Sequence, residues 1–323
     1  MHSAVELKQR QTGAAPPGVA VPRPTASSRT PLGRLFDTVE PYLFIAPALA
    51  FYSLFLALPI LGVVLISLLE WSGISMRDIR FVGFANYQAM AADPVFWQAL
   101  WHNVVFIGFG ATAMVVFGLF LAVLLEQGLR GSNLFRGIFF IPTIMSLVVV
   151  GIVFVLILSP ELGLVNPMLR RVGLGSLTRA WLGDPATALP TVIAVDVWKN
   201  FGLAMFLFVA GLKGIPQEYY EAASIDGANG WRRFWDITLP ALRPVTAVVI
   251  TLTSINTLKL FDLVYVMTAG GPNHASQVLT TWMYAQGFMF NNMGYGSALA
   301  VVLLLITLVV TVVQFKLVSR GDD

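Results

Sequence analysis

The sequence predicts an all-α fold, a polytopic transmembrane helical bundle. Hydrophobic residues make up 57% of its 323 residues and charged residues only 11%, whereas soluble domains carry about 25% charged residues. The apolar residues form continuous runs close to the roughly 20 residues that a helix needs to cross a bilayer, and they do not alternate as in a barrel strand. This composition excludes a soluble globular enzyme, a disordered chain and a fibrous protein.

Six runs are predicted as membrane spans. Four of them carry no Asp, Glu, Lys or Arg, whereas the fourth contains Asp196 and Lys199 and the fifth contains Lys259 and Asp262. A further apolar segment, residues 277–290, is too short to span and is predicted to be an interfacial or re-entrant helix on the outer side. The predicted spans are residues 43–69, 103–125, 137–158, 189–211, 245–267 and 297–315.

The distribution of basic residues predicts that both termini are cytoplasmic. With six spans, 13 Lys and Arg residues lie on the side of the termini and five on the other, and basic residues favour the cytoplasmic side. Residues 1–40 are rich in Pro, Ala, Ser and Thr and contain no apolar run, so we expect a disordered cytoplasmic tail. The membrane domain is then residues 41–323.

Polar side chains inside spans four and five are candidates for a protein-lined or water-filled interior. Asp196, Lys199 and Asn200 share one helix face, and a charge at a helix centre costs roughly 2.5–3.5 kcal/mol. Such a face is expected to turn towards protein or water rather than lipid. A structural role remains open, because Asp196 could pair with Lys199, or Lys259 with Asp196 or Asp262. The candidates in span five are Thr253, Asn256, Thr257 and Lys259.

The glycines in the spans are predicted to have structural roles, and no ligand role is expected for His102. Gly108, Gly110, Gly118 and Gly151 are expected to allow close helix packing. His102 is expected at the outer interface, exposed to solvent. The chain has no Cys and only three His residues, so neither a thiolate site nor a histidine metal cluster is expected.

The loop between spans four and five has the pattern of two short helices. Pro216 suits a first helical position, and Gly227 can end the helix in a left-handed conformation. Asn229 can cap a second helix. Tyr219, Ala222 and Ile225 fall on one apolar stripe. We call residues 214–243 the EAA segment, after Glu221-Ala222-Ala223.

This segment resembles the coupling loop of ATP-binding-cassette importer permeases. Glu221-Ala222-Ala223, Gly227 and residues 237–240 (Ile-Thr-Leu-Pro) match the pattern E-A-A-x3-G-x9-I-x-L-P. The chain is most similar to the sugar-type, binding-protein-dependent permeases. Among these, it resembles the first permease subunit of maltose and glycerol-phosphate systems. The supporting stretches are residues 41–59 (PYLFIAPALAFYSLFLALP), 81–87 (FVGFANY), 261–262 with 268–272 (FD, TAGGP) and 294–298 (GYGSA).

The resemblance implies a permease subunit that imports a sugar or sugar-like solute by alternating access. It also implies the partners: a second permease, two cytosolic ATPases and an extracytoplasmic solute-binding protein, in a prokaryotic cell membrane. Glu221 is expected to pair with a basic residue of the ATPase. The implied coupling residues are Tyr219, Glu221, Ala222, Ala223, Asp226, Gly227, Ile237, Leu239 and Pro240, and the implied substrate path is Asp196, Lys199, Asn200, Thr253, Asn256, Thr257 and Lys259.

Three alternatives stay open at this point. The EAA segment could be an amphipathic helix on lipid headgroups, although such helices usually carry a basic face. The chain could be an ion-coupled secondary transporter acting through Asp196 and Lys199, or a membrane-embedded enzyme. The sequence has no G-x-x-x-x-G-K-[ST] phosphate loop, so we expect no ATPase activity in this chain. No cofactor is expected either, and the basic balance is attributed to cytoplasmic loops rather than to a nucleic-acid partner.

Overall fold

The structure, a computed structural model, describes residues 44–128 and 130–319. It divides into two units, Met1–Pro59 and Ile60–Asp323, and the first is described only from Phe44 onward. The tail predicted at residues 1–40 and the basic residue Arg320 lie outside the described residues.

Helices make up most of the described chain, and one two-stranded antiparallel sheet pairs β1 (Leu69–Glu70) with β2 (Arg80–Phe81). We number thirteen helices in these residues; the last, α13, is Met293–Ser319. The α-helix Leu279–Tyr284 continues as a π-helical turn, Ala285–Met289. The others are α1 Phe44–Ile66, α2 Ala85–Ala92, α3 Pro94–Glu126, α4 Ser132–Ile144, α5 Leu147–Ile157, α6 Val165–Arg171, α7 Ala188–Lys213, α8 Gln217–Ile225, α9 Gly230–Ala241, α10 Arg243–Leu258, α11 Asp262–Thr268 and α12 Leu279–Tyr284.

Four helices are long and apolar enough to cross a membrane: α1, α3, α7 and α13. Two more candidates are bent pairs, α4 with α5 at 95° and α9 with α10 at 63°. The described chain therefore has four to six candidate spans. Residues 137–158 were expected to form one span, but the helix stops at Ile144 and restarts at Leu147.

The break between α4 and α5 is fixed by a contact from α7. Met145 and Ser146 are extended, with ψ of 146° and 135°, so the last carbonyl groups of α4 lose their helical partners. The Thr143 carbonyl oxygen accepts a hydrogen bond from the Lys199 ammonium at 3.1 Å, and the Thr143 hydroxyl donates to the Lys199 carbonyl oxygen at 3.1 Å. Pro142 lies inside α4 and is not the break point.

The fifth predicted span, residues 245–267, is also interrupted. Helix α10 ends at Leu258, and α11 begins at Asp262 and packs against α5. The close approach depends on Gly151, where an added Cβ would lie 2.8 Å from Val266 Cγ1. The bend places residues 259–261 outside a regular helix.

Glycines bring α3 and α7 together. A Cβ at Gly118 would lie 2.7 Å from Ala204 Cβ and 2.8 Å from the Met205 backbone nitrogen, which confirms a close-packing role. Phe208 and Met205 are fully buried beside this crossing. A Cβ at Gly108 would meet nothing within 4 Å, so Gly108 makes no close helix contact within this chain.

The short helix α12 is buried rather than lying along a surface. Leu279, Thr280, Thr281 and Trp282 are all buried. His102 Nδ1 lies 2.8 Å from the Gln277 carbonyl oxygen, and only 9% of His102 is exposed. The expectation that His102 is solvated is therefore wrong, because α3 starts nine residues before residue 103 and carries His102 under the loop that precedes α12.

Candidate functional site

A polar cavity of about 300 Å³ lies between α7 and α10, with further contributions from α3, α5 and the turn after α10. Six of the seven predicted path residues line it; Lys199 does not. Apolar side chains complete the wall, among them Met114, Leu147 and Leu207. The polar side chains in the lining are Asp196, Asn200, Thr253, Asn256, Thr257, Lys259 and Asp262.

Asp196 is buried in α7 and is hydrogen-bonded by its own helix. Asn200 Nδ2 donates to Asp196 Oδ1 at 2.7 Å, as an i, i+4 spacing allows. Lys199 instead donates to the Thr143 carbonyl oxygen. Among the described residues, Asp196 and Lys199 form no ion pair within 4.0 Å. The two side chains therefore make no direct salt bridge, and Lys199 contacts α4 from α7.

The polar side chains on the α10 side of the cavity differ in how free they are to bind a solute. The Thr253 hydroxyl donates to the Val249 carbonyl oxygen at 2.8 Å, within its own helix. Thr257 is buried, whereas Asn256 and Lys259 are exposed in the isolated chain. Neither Lys259 nor Asp262 forms an ion pair within 4.0 Å in the described residues. Asn256 and Lys259 are thus the freest groups on this wall.

Asp262 and Phe261 enter the site because the fifth span is broken. Neither residue is among the predicted path residues, and Asp262 was considered only as a possible partner of Lys259. Both residues line the cavity, since α10 ends at Leu258 and the chain turns back there. The site therefore offers carboxylate, ammonium, amide and hydroxyl groups beside one aromatic ring, which suits a polar solute with many donors and acceptors.

The EAA segment forms the two short helices that its sequence predicts. Helix α8 ends at Ile225, and Gly227 has φ of +77°. Asn229 caps α9 by accepting from the Arg232 backbone N–H at 2.9 Å. Pro216 differs from the prediction, because it is the N-cap residue, with ψ of 133°, and α8 starts at Gln217.

Side-chain contacts brace α8 against α9. The hydroxyl oxygens of Tyr220 and Thr238 lie 3.0 Å apart, and Arg233 Nη1 donates to Ser224 Oγ at 3.1 Å. Among the predicted coupling residues of α9, Ile237, Leu239 and Pro240 are half-buried. These contacts hold α8 and α9 in a fixed relative orientation.

The outer surface of α8 is open. Tyr219 is 58% exposed and Ile225 is 87% exposed, Glu221, Ala222 and Asp226 are exposed, and Ala223 is half-buried. No residue of α8 is buried. The apolar stripe of this helix therefore faces away from the chain's own core.

The family model described as "Binding-protein-dependent transport system inner membrane component" matches residues 114–321. Among similar proteins, the "Probable ABC transporter permease protein YurN" of Bacillus subtilis (strain 168) is 41% identical, covering 89% of this chain and 98% of the relative. The "Lactose transport system permease protein LacF" of Rhizobium radiobacter is 36% identical over 90% of this chain and 97% of its own length. The "Arabinooligosaccharides transport system permease protein AraP" of Bacillus subtilis is 34% identical, with coverages of 93% and 96%.

A solved structure has the same fold. A chain of a bacterial ABC transporter involved in the import of the acidic polysaccharide alginate aligns with a TM-score of 0.77 at 22% identity. The alignment covers 89% of this chain and 99% of the other.

Proposed function

Because the chain belongs to the family of inner membrane components of binding-protein-dependent transport systems, we propose that it imports a sugar or sugar-like solute. In that family the chain is the multi-pass membrane permease subunit, not the ATPase. The proposal rests on the polar cavity, which side chains of α7 and α10 line together. These are the helices before and after the EAA segment. Relatives named for lactose and arabino-oligosaccharide transport support the solute class.

The cavity is the substrate path in this proposal. Asn256 and Lys259 contact solute hydroxyls directly, and the Asn200–Asp196 pair presents an oriented acceptor and amide. Thr253 and Thr257 contribute less, because one hydroxyl is bonded in its helix and the other residue is buried. Lys199 is not part of the proposed path, because its ammonium group is hydrogen-bonded to the Thr143 carbonyl oxygen at the break between α4 and α5.

The EAA segment couples the permease to a separate ATPase. Its open face, with Tyr219, Ala222 and Ile225, enters a groove of that subunit, and Glu221 pairs there with a basic residue. The stripe is exposed in this chain, and an exposed apolar stripe rimmed by polar residues is typical of a protein interface. The complete importer holds two ATPases, a second permease and an extracytoplasmic solute-binding protein.

The arrangement in the bilayer follows from the basic residues. Six spans, with α4 and α5 together as the third and α10 as the fifth, put both termini and the EAA segment, including α9, in the cytoplasm. Residues 41–323 are the permease domain in this proposal, and residues 1–40 a cytoplasmic extension.

The test is uptake by reconstituted proteoliposomes. The complete complex, with binding protein and internal ATP, should import at least one of radiolabelled lactose, maltose, trehalose and arabinobiose. The purified chain alone, with an imposed proton or sodium gradient, should import none. Gradient-driven uptake by the chain alone would support an ion-coupled transporter and contradict the proposal.

A further inference from the structure

Four aromatic rings lie in contact beside the polar cavity. We call Phe261, Tyr265, Tyr284 and Phe288 the aromatic ladder. Phe261 and Tyr265 stack with ring centroids 5.1 Å apart and planes 15° from parallel. Tyr284 contacts both of these rings with centroids at 5.2 Å, and Phe288 stacks on Tyr284 at 5.4 Å.

The ladder connects the cavity to the surface of the chain. Phe261 lines the polar cavity, and Phe288 at the other end is 62% exposed. Tyr265 and Tyr284 between them are half-buried. Leu263 and Leu279, in the same helices as Tyr265 and Tyr284, are fully buried, whereas the four rings are half-buried or exposed.

A carboxylate accompanies the rings. Asp262 follows Phe261 directly, lines the cavity and is exposed. A saccharide ring has an apolar face of C–H groups and a rim of hydroxyls. Aromatic rings match the face, since they offer large, rigid apolar area, and a carboxylate accepts hydrogen bonds from the rim.

We propose that the aromatic ladder is a second saccharide-binding site, which stacks sugar rings at the mouth of the polar cavity. This inference rests on the proposed function and adds a site to it. The ladder holds the solute by stacking, with Asp262 fixing its orientation, before the solute reaches Asn256 and Lys259. Rings with different hydroxyl patterns bind there, because stacking uses only the apolar face.

Reconstituted complex with its binding protein tests the site, with radiolabelled lactose, maltose, trehalose and arabinobiose as probes. Tyr284→Leu and Tyr265→Leu should each lower maximal uptake about 2- to 10-fold, the size expected for losing one aromatic contact. Tyr284→Phe keeps the ring and should retain nearly full uptake. Phe109→Leu removes an exposed ring outside the ladder and should leave uptake unchanged.

The outcomes separate the two proposals. If the wild-type complex imports none of the four sugars, the proposed function fails and the ladder site fails with it. If the wild type imports a sugar and both Leu variants match it, only the ladder site is overturned. If the Leu variants no longer co-purify with the second permease, the rings form a subunit interface, which also overturns the site.

Discussion

Gly202 lies where α7 crosses α4, and no larger residue fits there. A Cβ at this position would overlap the Phe139 carbonyl oxygen and lie 2.9 Å from Thr143 Oγ1. The same contact region carries the hydrogen bonds between Lys199 and Thr143. The residue therefore sets the distance between the two helices.

Gly202→Ala should destabilise the protein by about 1–3 kcal/mol, because overpacking forces the backbone apart. The measurement is the Tm of the purified permease. Gly137→Ala is the matched control in α4: nothing lies within 4 Å of its added Cβ, and Ala favours a helix by about 1 kcal/mol over Gly. Equal Tm values for the two variants would contradict the close crossing.

Asn256 is the polar residue of α10 most available to a solute. Asn256→Leu should lower uptake about 2- to 10-fold, since one lost hydrogen bond is worth about 0.5–1.5 kcal/mol. The ATPase should still co-purify. Thr253→Val is the control with the smaller expected effect, because that hydroxyl is bonded to Val249. Unaltered uptake by Asn256→Leu would remove this residue from the path.

Helical spacing explains which cavity residues could be predicted. Asp196 and Asn200, four apart, are joined as an i, i+4 pair, and Asn256 follows from the polar face of the fifth span. Lys199 could not be assigned from spacing alone. Its acceptor, the Thr143 carbonyl oxygen, is 56 residues away in sequence and is free only because α4 ends there.

At the scale of elements, the two helices of the EAA segment could be predicted from local sequence, whereas the breaks in the third and fifth spans could not. Gly227 and Asn229 mark helix ends by their own conformations and hydrogen bonds. The break after Ile144 carries no such signal, since Met145 and Ser146 can continue a helix. It depends on the contact of α4 with α7, which a hydropathy pattern does not contain.

Helix α8 should transmit the ATPase cycle through Glu221. Glu221→Lys reverses the charge on the open face of α8 and should abolish most ATP-driven uptake, while the spans still insert. Uptake and ATP hydrolysis are measured together in proteoliposomes. Glu161→Lys, a charge reversal at an exposed loop position, is the control. Wild-type uptake by Glu221→Lys would count against coupling through this helix.

At the scale of the whole molecule, much apolar surface remains open. Phe117 and Phe120 on α3 and Val149 and Ile152 on α5 are large apolar residues with more than a third of their surface exposed. A continuous apolar surface of this kind is unfavourable in water. Such a surface is expected on a chain that is surrounded by lipid and a second permease.

The absence of cysteine in the sequence makes the topology directly testable. Ile74→Cys, at a residue that is 76% exposed, should react with a membrane-impermeant maleimide added outside intact cells. Ile225→Cys, at a residue that is 87% exposed in this chain, should react only after the membrane is opened, in cells that express the permease without its ATPase. The opposite labelling pattern would invert the proposed orientation.

The most direct test of the account is photo-cross-linking from Ile225. A benzoylphenylalanine placed there, in the complete complex in membranes, should cross-link to the cytosolic ATPase, and the yield should change when ATP is added. The same probe at Ile74 should not reach the ATPase. If the Ile225 probe cross-links only to lipid, α8 lies on lipid headgroups and does not couple the permease to the ATPase.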